Sequence, residues 1–90
     1  MNNSENYLNH PHFGLLFRVC ITGDNQELFT TLYAQRLFFL VTNTPNGLQI
    51  EPLPRSDARL LVENRLRLLR RLGQSTQYQE LQAIHNRTFQ

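Results

Sequence analysis

Apolar residues recur along this chain with two different periods. Phe13, Leu15, Phe17, Val19 and Ile21 alternate with Gly14, Leu16, Arg18 and Cys20, and a period of two predicts a strand. Gly23-Asp24-Asn25 is a turn cluster. Beyond it lies the densest apolar stretch of the chain, Leu32 to Val41, which holds no Pro, Gly or acid and is flanked by Phe29, Thr30, Thr31 and Thr42. Beta-branched and aromatic residues at this density read as sheet. The stretch exceeds the usual strand length of about five or six residues. The pattern therefore predicts a hairpin, Glu27 to Tyr33 and Arg36 to Thr42, turning at the short pair Ala34-Gln35. A second turn cluster, Asn43 to Gly47, precedes a strand over Leu48 to Leu53. Glu5 to Leu8 forms a short edge strand, ended by Asn9-His10-Pro11-His12.

A turn at Ala34-Gln35 pairs Tyr33 with Arg36, Leu32 with Leu37, Thr31 with Phe38 and Thr30 with Phe39. One hairpin face then carries Leu28, Thr30, Leu32, Leu37, Phe39 and Val41. The other carries Phe29, Thr31, Tyr33, Arg36, Phe38 and Leu40. Both are largely apolar, whereas an antiparallel sheet with one solvated face shows a polar side. One face fills a core, and the second requires a cover, supplied by the chain's own helices or by a partner protein. With a chain this short, the second face is expected to await a partner.

After Pro52 and Pro54 the period changes. Ser56 is the expected N-cap, with Asp57 in the first turn. Ala58, Leu61, Val62, Leu66, Leu69 and Leu72 recur at spacings of three and four, predicting a helix of about 16 residues that Gly73 stops. Ser75 is the expected cap of a second helix, whose less polar positions are Tyr78, Leu81, Ala83, Ile84, His85, Thr88 and Phe89. Its stripe is thin, so it docks weakly on the first helix or awaits a partner. The prediction is an α+β fold: a strongly bent five-stranded antiparallel sheet over residues 1–53, Tudor-like or KOW-like, followed by a two-helix segment over 54–90.

Ninety residues make one small domain, whose core buries roughly 60–65% of the unfolded surface. The net charge is +2, and all nine basic residues are Arg. Arginine suits bidentate contacts to carboxylate or phosphate, and Arg59, Arg65, Arg67, Arg70 and Arg71 cluster on the first helix. That cluster supports an alternative reading, a Tudor- or KOW-like nucleic-acid-binding module. Against it stand the mild charge and the lack of aromatics among the arginines; a solvated helix face accounts for the cluster. Cys20 is the single cysteine, so no disulfide framework exists within the chain, and mid-strand it reads as buried and inert. His10, His12 and His85 lack the spacing of a metal set. The acids are scattered singly, with no nucleophile–base set and no phosphate-binding glycine loop. No apolar run approaches the roughly 20 residues of a membrane helix. The expectation is a reduced cytoplasmic protein that is not an enzyme and holds no cofactor.

Four strings carry a family resemblance: Ser4 to Pro11, Phe13-Gly14-Leu15-Leu16, Leu32 to Val41, and Asn64 to Arg71. They resemble PipX, the cyanobacterial family that interacts with the nitrogen signal protein PII, and the likeness runs from Ser4 to Phe89. The turn at Thr44 to Gly47 and the junction Leu72 to Thr76 depart from it. The resemblance implies a Tudor-like sheet followed by two helices, and a non-enzymatic adaptor that binds either PII, when 2-oxoglutarate is scarce, or the transcription activator NtcA, when it is abundant. The small molecules bind the partners. Matching contact positions are Tyr7, Tyr33, Gln35, Leu37 and Phe39, with Glu5 and Arg36, and direct contact with DNA is not expected.

Overall fold

The computed structural model of the chain describes residues 7–31 and 37–89. Five strands, β1 (Tyr7–His10), β2 (Gly14–Gly23), β3 (Gln26–Thr31), β4 (Phe38–Thr44) and β5 (Gly47–Leu53), are followed by helices α1 (Arg55–Arg71) and α2 (Ser75–Phe89). The strands form one antiparallel meander in sequence order, curled into a half-barrel. The α+β arrangement expected from the two periods is therefore present.

The hairpin register differs from the expected one. Thr30 faces Phe38, Phe29 faces Phe39 and Leu28 faces Leu40, so every pair is displaced by one residue. Five residues, 32–36, separate Thr31 from Leu37 where a two-residue turn was expected. Side chains alternate with a period of two, so a one-residue slip transfers the whole of β4 to the opposite face. Phe38, not Phe39, shares a face with Leu28 and Thr30. That face meets the helices, and Leu28 and Phe38 are buried with Val19 of β2, Ala58, Val62, Leu66 and Leu69 of α1, and Leu81 and Phe89 of α2.

The other face is covered without a partner. Leu16, Phe29, Phe39 and Val41 are buried together inside the curl, with Leu8 and Ile50 packed against them. Every strand of the sheet contributes, which is possible only because the sheet bends round on itself. The expected shortage of chain to cover both faces is thus corrected: curling covers the second face with the sheet's own edge strands. Irregularity in β2 helps the bend. Its register against β3 shifts between Arg18 and Cys20, and again between Ile21 and Gly23. A bulge adds twist and breaks alternation, so Val19 and Cys20 both pack on the helix side.

Helix α1 begins two residues earlier than expected from a cap at Ser56. Pro54 is the N-cap, extended at φ −62° and ψ 152°, and no side chain caps the helix; the Ala58 amide donates to the Pro54 carbonyl at 3.0 Å. Ser56 therefore lies inside the first turn. At the other end Gly73 takes a left-handed φ of 73°. Its amide donates to the Arg70 carbonyl and that of Gln74 to the Leu69 carbonyl, the paired bonds of a glycine-terminated helix. This reversal turns Leu72 outward, 58% exposed, instead of into the expected stripe. The Tyr78 amide donates to the Gln74 carbonyl, so Gln74, not Ser75, precedes α2.

The thin stripe of α2 is supplemented by polar contacts near its end. The His85 ring and the Glu63 carboxylate lie 3.1 Å apart (Nε2 to Oε2), and Glu63 also accepts from Arg59 Nε at 3.0 Å. Arg59 and His85 hold the Glu63 carboxyl below its ordinary value. Phe89 stacks on Phe38 with ring centres 5.4 Å apart, and the Arg55 guanidinium lies over the Phe89 ring, 5.3 Å from its centre. Arg55 also donates to the Thr88 carbonyl at 2.9 Å. The last turn of α2 is thereby clamped between the sheet and the start of α1.

Candidate partner-binding surface

The surface is built at the neck of the hairpin. The Thr31 amide donates to the Leu37 carbonyl at 3.0 Å. The Thr30 hydroxyl donates to the same carbonyl at 2.8 Å, and the Thr31 hydroxyl accepts from the Leu37 amide at 3.1 Å. Thr30 is buried, so its hydroxyl needs this partner. The two threonines hold the backbone of Leu37 at both of its polar groups, and the Leu37 side chain stands 38% exposed.

Beside it the turn between β1 and β2 is fixed by a histidine. His10 Nδ1 accepts from the amides of His12 (3.0 Å) and Phe13 (3.3 Å), which places the ring proton on Nε2. The His10 ring lies 4.9 Å from that of Phe13 and 5.6 Å from that of Phe39, and Phe13 is 5.3 Å from Phe39. These aromatics, Leu37, Ile50 and Pro52 line an apolar cleft of about 260 Å³. Phe13 forms its lip, 47% exposed.

Of the positions implied by the family resemblance, Leu37 and Phe39 come together in this cleft. Phe39 is only 3% exposed and acts as its floor. Tyr7 is 51% exposed at the start of β1, its ring 6.4 Å from Phe17, and is not part of the cleft lining. Glu5, Tyr33, Gln35 and Arg36 lie outside the described residues. Sequence reasoning missed His10, Phe13 and Pro52. It read His10 and Pro52 as strand breakers and Phe13 as the first apolar position of a strand, yet β2 starts only at Gly14. The available signal was His10 and Phe13 on either side of Pro11-His12, since a side chain held on a turn is free to stand at a rim.

His10 and His12 are neighbours, with ring centres 5.9 Å apart, while His85 sits on α2 with Glu63. No group of three His, Cys, Asp or Glu side chains among the described residues is placed to hold a metal ion. Of the helix arginines, Arg59 pairs with Glu63 and Arg67 donates to Asn64.

A curled sheet that closes its own core, yet keeps an aromatic-rimmed apolar cleft beside a hairpin neck, has the composition typical of small protein-recognition modules. A comparison with protein families identifies which one. The family PipX, PII-interacting protein X, matches residues 4–89, and the chain belongs to it. That family is one of regulatory proteins that interact with PII, not a known enzyme family. No curated protein sequence matches the chain.

Proposed function

We propose that this chain is a non-enzymatic cytoplasmic adaptor in nitrogen regulation that binds either PII or the transcription activator NtcA. PII with ADP holds it when 2-oxoglutarate is scarce. When 2-oxoglutarate is abundant, PII releases it and it coactivates NtcA. The observation that carries the reading is the family match over nearly the whole chain, joined to an exposed apolar cleft on the sheet. Large apolar and aromatic side chains at a rigid rim are the anchors of protein interfaces.

In this reading Tyr7, Leu37, Tyr33, Gln35, Arg36 and Glu5 face the partner, and Phe39 supports Leu37 and Phe13 from beneath. One surface serving two partners makes their binding mutually exclusive. Coactivation then needs only that the adaptor bind the active form of NtcA better than the inactive one, so 2-oxoglutarate and nucleotide act through the partners.

Gel filtration tests this. The chain should co-elute with PII in ADP and separate from it in ATP plus 2-oxoglutarate. Added NtcA with 2-oxoglutarate should then take it up. Elution with PII that is indifferent to these small molecules, or a stable ternary complex with PII and NtcA, would contradict the reading.

A further inference from the structure

The apolar cleft has a single polar side chain in its lining, His10; every other lining residue is Phe, Leu, Ile or Pro. The two ring nitrogens of His10 have different duties. Nδ1 accepts from the amides of His12 and Phe13, so it carries no proton, and the ring is a neutral donor at Nε2. Nε2–H has no hydrogen-bond partner among the described residues, and it is not buried.

The ring cannot turn to hide this donor. Its plane lies 29° from that of Phe39 at 5.6 Å, with Phe13 beside it at 4.9 Å. A half-turn would put carbon Cδ2 in front of the His12 and Phe13 amides and leave both without an acceptor. The backbone amides of Phe13 and Leu37 at the rim already donate within the chain, and Pro52 has none. His10 Nε2–H is therefore the fixed side-chain donor of an otherwise apolar wall.

An apolar wall alone rejects little, because one methylene more or less changes affinity modestly. A donor in that wall rejects strongly. When a partner side chain fills the cleft, Nε2–H loses its water, and a partner that brings no acceptor leaves it unsatisfied. A carbonyl suits the place better than a carboxylate does. A carboxylate would give up its hydration against apolar side chains for one bond to a neutral ring.

We infer that His10 is a specificity-determining residue of the cleft, donating its Nε2–H to a partner carbonyl oxygen that flanks the apolar side chain filling the cleft. The inference rests on the reading of this cleft as the PII-binding surface and adds to it the chemistry that the partner must present there.

The test separates the two nitrogens. In the full chain, thiazolylalanine in place of His10 keeps a ring nitrogen at the Nδ1 position and carries sulfur where Nε2–H stood. The amide shifts of His12 and Phe13 should stay as in the wild type, showing the turn intact. Calorimetric affinity for PII in ADP should fall about tenfold, as expected for an acceptor desolvated without its donor. In the wild-type complex the His10 Nε2 proton, lost to exchange with water in the free chain, should appear as a slowly exchanging signal in imidazole proton–nitrogen spectra. A histidine that only holds its turn would show neither effect. The spectrum needs no substitution, so it decides even where the altered ring disturbs the turn. Unchanged affinity of the thiazolyl chain, or an Nε2 proton that still exchanges with water in the complex, overturns the inference and leaves PII binding in place. Failure of the wild-type chain to bind PII overturns the adaptor reading, and the inference with it.

Discussion

Phe89→Ala separates the docking of α2 from the stability of the sheet. The Phe89 ring is buried in contact with Phe38 and the Arg55 guanidinium, in the cluster that joins the sheet to both helices. Deleting a buried Phe ring costs about 3–5 kcal/mol. Phe89 is in the last turn of α2, where the surroundings can collapse into the space, so the lower end, about 3 kcal/mol, applies. A domain of this size has a total stability on the order of 5–13 kcal/mol, so the loss is a large fraction. There is a ceiling, however. The stripe of α2 consists of Leu81, His85, Thr88 and Phe89, with Tyr78 and Ile84 partly buried. If undocking α2 takes less than about 3 kcal/mol, the helix opens alone and the sheet loses only the docking energy. The expected result is that amides of 78–86 in Phe89→Ala exchange much faster than those of Phe38, Leu40 and Val41. In urea, the transition of α2 should precede that of the sheet. Equal loss of protection in α2 and in β3–β4 would show that helix and sheet unfold as one unit. A stability change below about 1 kcal/mol would show that the stacked rings carry little of the docking.

Other consequences can be measured separately. Phe13→Ala should leave the fold intact, because the ring stands at the rim of the cleft, and should weaken PII binding by about 2 kcal/mol, the loss typical of an interface anchor; unchanged affinity in calorimetry would remove the cleft from the interface. The Glu63 carboxyl is held below its ordinary value by Arg59 and His85, so its contribution to stability is present above about pH 4.5 and lost as the pH falls through the lowered folded value. Glu63→Gln should therefore flatten the dependence of the urea midpoint on pH between 6 and 3. Burial pushes the Cys20 thiol up to about 12 from 9.0, against weaker opposite pulls from Arg65 and Arg18. Iodoacetamide should consequently react far more slowly with the native chain than with the urea-unfolded one. Because the unfolded thiol loses its proton near 9 while the folded one keeps it, Cys20 also makes stability fall as the pH rises from about 9 towards 12.

Five strands, two helices and their order followed from the chain itself, because period-two and period-3.6 patterns are local and the turn residues between them are equally local. Asp24-Asn25, Gly47 and Gly73 mark their turns by their own backbone preferences. The Leu32 to Val41 string carried the family resemblance for the same reason, as a run of adjacent residues. The hairpin register was not local. It depended on whether the hairpin closes over an even or an odd number of residues, and Ala34-Gln35 bears no turn signature to decide it. That parity determined whether Phe38 or Phe39 meets the helices. The cover of the second apolar face was likewise decided only in three dimensions, since the curl brings Leu8 and Ile50, from opposite edges of the sheet, onto one cluster. The cleft needed the same closure: His10 and Phe13 of one edge approach Phe39 and Pro52 only once the sheet has bent.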